Sequence, residues 1–170
     1  MPRAPQPLTL VEAADRAFCE DHYAEAIDLA RRAIGFNDED VNAHRILGQS
    51  LVASSGTILA QHPGSEIHRR QLAKGMEKLQ DTCARFPRDA MAPYALGVAH
   101  SMVAQWNEAA NCFNRAIEND PADSVFYQAI ISALCSGGRL TDAAVFVDTE
   151  DPLSPSGEDY AEQLRSVVAR

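Results

Sequence analysis

Small and apolar residues recur along this chain at a spacing that is itself repeated. Ala14, Gly48, Gly97 and Ile131 follow one another in steps of 34, 49 and 34. A second series, Ala26, Gly75, Ala109 and Ala143, steps by 49, 34 and 34, and Pro87 and Pro121 are again 34 apart. Two independent series with one period indicate a repeated unit of that length, lengthened once by 15 residues inside the second unit. A fixed period of this size is the mark of stacked supersecondary units. Between the markers the apolar positions keep helical spacing, which predicts helices at about 9–20, 23–36, 41–60, 65–85, 90–103, 107–119, 123–136 and 139–148.

Local punctuation agrees with this map. Thr9-x-x-Glu12 reads as a capping box. Asp120-Pro121 reads as a cap followed by proline at the first helical position. Small residues at the marker positions let paired helix backbones approach closely, and larger ones fill the space between. Leu47, Gly48, Leu96, Gly97, Ala109, Phe113, Ala116, Ile130 and Ala143 are the predicted core. The extra residues fall at about 55–69: Ile58 and Leu59 continue one apolar series, Ile67 begins the next, and His62-Pro63-Gly64 turns between them with Ser65 as cap. That segment is expected to lengthen both helices by about two turns, into a hairpin carrying His68, Arg69 and Arg70 near its tip. After the linker from Asp148 to Pro155, Ser156-x-x-Asp159 opens a last predicted helix. Its stripe of Tyr160, Leu164, Val167 and Val168 suits a terminal cap.

These residues resemble the tetratricopeptide repeat (TPR), with its pattern W-x₂-L-G-x₂-Y, A-x₃-F and P. The third unit carries Leu96-Gly97, Ala109-x₃-Phe113, Ala116 and Pro121, with Pro93 and His100 where first-helix aromatics would stand. The second carries Leu47-Gly48, Gly75-x₃-Leu79 and Pro87. The first has Ala13-Ala14, Ala26-x₃-Ala30 and Ala33, with Asp38 in place of proline. The fourth has Tyr127, Ile130-Ile131, Leu134 and Ala143-x₃-Val147. The resemblance implies an all-α, TPR-type superhelical solenoid of about four helix pairs plus a C-terminal capping helix. A flexible Pro-rich N-terminus would occupy 1–6 and the solenoid 7–150, with units 7–40, 41–89, 90–123 and 124–150; linker and cap would occupy 151–170.

The resemblance also implies a function: a protein–protein interaction module, an adaptor, scaffold or assembly chaperone, holding a partner protein or peptide in a concave groove of first helices. The groove positions it carries over are Asp15, Asn42, Arg45, Gln49, Met91, Tyr94, Val98, Ser101, Gln128 and Ser132. One TPR subclass grips acidic chaperone tails with Lys and Asn from the first helices. Here Val11 and Asp15 hold those first-unit positions, and Lys74 and Lys78 fall on a second helix. Affinity for such tails is therefore not expected.

Composition narrows the partners further. A net charge of −9 repels phosphate backbones and anionic lipid, so neither nucleic acid nor membrane insertion is expected. No stretch of 18 apolar residues occurs, and Met1-Pro-Arg-Ala-Pro-Gln-Pro7 lacks the apolar core of a signal peptide, so the expected location is the cytoplasm. Arginine outnumbers lysine 13 to 2, the usage of a GC-rich bacterial genome. Cys19, Cys83, Cys112 and Cys135 form no C-x-x-C pair and are expected reduced and packed, Cys19 and Cys135 at groove-facing positions. Gly137-Gly138 reads as a turn, His62 and His68 as surface residues, and Asp38-Glu39-Asp40 as a solvated capping turn. No catalytic or nucleotide-binding motif is present, so no enzyme activity, cofactor or metal is expected. The alternatives to an adaptor are a self-assembling scaffold, hence a homo-oligomer, or the regulatory subunit of an enzyme complex.

Overall fold

The computed structural model describes residues 9–62 and 65–147, which form eight α-helices and no strand. The Pro-rich start, Pro63-Gly64, the linker and the helix expected after Ser156 lie outside the described residues. The chain divides into two compact units, Met1–Phe86 and Pro87–Arg170. The first holds α1 (Leu10–Cys19), α2 (Tyr23–Phe36), α3 (Val41–Gln61) and α4 (Glu66–Arg85). The second holds α5 (Met91–Met102), α6 (Trp106–Asn119), α7 (Ser124–Ser136) and α8 (Leu140–Val147). Within each unit consecutive helices pack together, and first helices also touch, α1 on α3 and α5 on α7. The predicted core residues are all buried.

The helix starts are set by side chains that take up free backbone donors. Thr9 and Glu12 close the reciprocal capping box, the Thr9 N–H donating to Glu12 Oε2 at 2.8 Å. Asp40, Ser65 and Asp123 accept from the N–H groups of Ala43, Ile67 and Val125. The expectation for Asp120-Pro121 is corrected. Asp120 ends α6 and its carboxylate accepts from the Ala122 N–H, so Pro121 stands in the turn and Asp123 caps α7. Proline suits the turn as well, because its fixed φ needs no donor there.

Three pairs turn from first to second helix in one way. Asp21, Ala104 and Gly138 adopt left-handed φ of 61°, 57° and 76°. The next N–H in each case reaches back five residues: His22 to Ala17, Gln105 to His100, Arg139 to Leu134. Only Gly138 does so without a Cβ penalty, which is roughly 1–2 kcal/mol for the other two. The same repeat position in the second pair is Ser55, and there the chain stays helical. Its hydroxyl is buried and donates to the Val52 carbonyl at 2.6 Å. The His68 ring nitrogen lies 2.8 Å from the Ser55 carbonyl oxygen, and Gln71 donates to Ser54 Oγ at 3.1 Å. α3 and α4 therefore run to 21 and 20 residues against 10 and 14 for α1 and α2. His68 is thus a half-buried strut between the helices rather than a surface residue. Leu59 and Ile67, expected in the apolar series, are exposed on the extension, and Arg69 and Arg70 pair with Glu66.

Glycines fix how closely the pairs approach. A Cβ on Gly75 would stand 2.8 Å from the Val52 backbone nitrogen and 3.1 Å from the Gly48 oxygen. One on Gly48 would meet the Leu79 side chain at 2.7 Å, and one on Gly97 the Phe113 ring at 2.5 Å. A second tie recurs with the period. Arg85 at the end of α4 donates to Asp38 and Glu39, both at 2.6 Å, and stacks on Phe86 at 5.6 Å. Asn119, one repeat period on, donates to the carbonyls of Pro87 and Asp89. Each clips its helix to the turn before its own pair, so Asp38 and Glu39 are bound rather than merely solvated. The equivalent position in the first pair is Phe36, which is 84% exposed.

Two measurements check this packing. Gly75→Ala should cost about 1–3 kcal/mol in urea unfolding, because backbone cannot move aside as a side chain can, and Gly97→Leu at least as much. Gly35→Ala, with nothing within 4 Å of the new methyl, should instead gain about 0.5–1 kcal/mol. The second concerns pH. Arg85 beside Asp38 holds that carboxyl below the usual aspartate range. The unfolded chain then binds the extra proton, so the pair's contribution is complete above the ordinary aspartate pKa and is lost as pH falls through the lowered value. Arg85→Gln should flatten that acid limb, read as a smaller drop in Tm between pH 7 and pH 3.

Candidate binding faces

The ten carried-over positions fall on first helices, four in the first unit and six in the second. In the first unit Asp15 is exposed on α1. On α3 the three others are joined: the Arg45 guanidinium donates to Gln49 Oε1 at 3.0 Å and to Asn42 Oδ1 at 3.1 Å. This holds the cation along one helix face with donors left over, as a polar register requires. The carried-over residues of this unit are all polar or charged.

The second unit is different. On α5, Met91 and Val98 lie on one face, and Ser101 turns its hydroxyl back to the Gly97 carbonyl at 3.0 Å. On α7, Ser132 is exposed and Gln128 half-buried. Two further residues extend this face and escaped the sequence reading. Val125 stands one repeat period after Met91, and Met102 lies one turn past Val98. Met91, Val98, Met102 and Val125 are each between 36% and 46% exposed. The period was sufficient to find Val125, since it maps Met91 onto it.

Tyr94 has a packing role of its own. Its ring is half-buried between Phe113 at 5.8 Å and Phe126 at 5.3 Å, tilted to both. It therefore joins α5 to α6 and α7 as an aromatic wedge. Buried Pro93, near the start of α5, fits the first turn, where a missing N–H costs little.

Gly137-Gly138 forms the α7–α8 turn. Cys83 is buried, and Cys19 is exposed rather than packed, because it ends α1 at the rim of the turn. Burial pushes the thiols of Cys112 and Cys135 above the ordinary cysteine range, which disfavours the reactive thiolate. Among the described residues, no three metal-ligating side chains come together and no helix is long and apolar enough to cross a membrane.

No protein-family model and no curated protein matches this sequence. Solved structures do. TTC0263, a thermophilic TPR protein of Thermus thermophilus, aligns over 95% of this chain and 98% of its own, at 16% identity and a TM-score of 0.51. YrrB, described as a TPR protein with an unusual peptide-binding site, aligns over 94% and 72% at 17% identity and a TM-score of 0.57. MamA AMB-1 aligns over 91% and 76% at 15% identity and a TM-score of 0.56. Identities this low speak for architecture alone, and the architecture agrees with the repeat period, the buried markers and the recurring turns: this chain has the all-α tetratricopeptide-repeat fold.

Proposed function

We propose that this chain is a protein-binding module, an adaptor or assembly factor, that takes a partner segment on its first-helix faces. The observation that carries the reading is the exposed apolar strip of Met91, Val98, Met102 and Val125. Such a strip leaves apolar area in water unless a partner covers it, and large flexible side chains suit recognition. YrrB, with its peptide-binding site, lends the fold a precedent. Asn42, Arg45 and Gln49 supply the polar register on the first unit, with Asp15 beside them on α1.

A pull-down from the native source, quantified against wild type, tests this. Val98→Asp should reduce capture of the partner at least about tenfold, which is about 1.4 kcal/mol, with helicity and Tm unchanged. Tyr94→Ala should instead lower stability by about 1–3 kcal/mol, because it removes the wedge between Phe113 and Phe126. Partner capture that survives Val98→Asp would sink the assignment of this face. A second outcome concerns charge. Acidic C-terminal peptides should show no micromolar binding by calorimetry, since Arg45 is already engaged and Asp15 repels carboxylates.

A further inference from the structure

The lengthened end of α3 does more than extend a hairpin: it builds one wall of a cleft of about 550 Å³ against the α1–α2 turn. Three pairs turn at a left-handed residue, and α3 passes that point as helix, so Ser54, Thr57 and Ile58 stand over the turn of the preceding pair. The opposite wall is Asp21 to Glu25. Apolar surface comes from Tyr23, Ala24 and half-buried Ile58. The charged lining is Asp21 and Glu25, with His22 turned toward Glu20 at 3.6 Å. No Lys or Arg lines the cleft among the described residues. Tyr23 donates its hydroxyl to one Asp21 oxygen at 2.5 Å, which orients the carboxylate and leaves its other oxygen as an acceptor. The C-terminal end of α1 and the N-terminal end of α2 meet at this turn, so their opposed dipoles offset and the two carboxylates set the sign.

We infer that this cleft docks an arginine or lysine side chain presented by a partner protein. A long cationic side chain matches both halves of the lining. Its methylene stem lies along Tyr23 and Ile58, and its head reaches Asp21 and Glu25. The site is separate from the α5 and α7 strip, and although it shares the protein-binding reading it stands on different residues. It gives the 15-residue insertion a role: without the extra turns of α3, the wall that carries Thr57 and Ile58 is missing.

The test is an amide chemical-shift titration of the full chain with two blocked peptides, Leu-Arg-Leu-Arg-Leu and Leu-Glu-Leu-Glu-Leu. The arginine peptide should give saturable shifts at residues 21–25, 54, 57 and 58, and the glutamate peptide none. Asp21→Asn, which tolerates the left-handed φ, combined with Glu25→Gln should weaken the arginine peptide at least fivefold, which is about 1 kcal/mol. Thr57→Arg, at an exposed position, should fill the cleft with its own cation and abolish the shifts. Val98→Asp should leave the titration unchanged, so failure of the α5 strip and failure of this cleft are read separately. Equal binding of both peptides, shifts spread evenly over acidic surface, or affinity unaltered in the double variant would overturn the inference.

Discussion

At Gly75 the backbone of α4 lies against that of α3, with no room for even a methyl group. Gly48 and Gly97 face Leu79 and Phe113 in the same manner, each accepting a large side chain from its paired helix. Ridges of one helix can enter the grooves of the other only where such vacancies exist. The vacancies recur because the packing recurs, and that is why small residues return at one period. The larger residues between them, Ile46, Leu47 and Leu51 in the first unit and Phe113, Ile130 and Leu134 in the second, are then free to fill each core.

The second pair shows what a repeat does when its turn is removed. Its left-handed position is occupied by Ser55, whose hydroxyl and carbonyl are both satisfied inside the helical hairpin. A buried polar residue with every group bonded costs little, so continuing as helix is permitted. His68 and Gln71 tie α4 to α3 across the added length. Their outer side keeps Leu59 and Ile67 in contact with solvent. Among the described residues the insertion continues both helices instead of leaving them as a loop.

Polarity divides the first helices by unit. Those of the first unit present a hydrogen-bonded trio around Arg45, those of the second an apolar strip. In a chain of net charge −9, the exposed apolar side chains of α5 and α7 stand out from a largely acidic composition. On α5, Tyr94 packs inside the aromatic wedge while Val98, one turn on, is exposed.

The positions of the eight described helices, the capping box, the buried markers and the repeat fold were legible from residue order. Each depends on a local period: the helical turn places a side chain on a face, and the repeat places a face in a stack. Helix ends were legible to within a residue or two, and the cap of α7 was misplaced because Asp120 and Asp123 are equally good acceptors. What periodicity cannot supply is distance to a partner from another helix. It put Tyr94 on a face without showing Phe126 beside it, marked His68 without the Ser55 carbonyl, and gave Asp38 and Glu39 no reason to meet Arg85, 46 or more residues away. Cys19 had the spacing of a packed residue and lies at an open turn. The cleft between Glu25 and Ile58 is likewise absent from any one-dimensional pattern, because it is the space left when one hairpin outgrows its neighbour, and only the packed helices define that space.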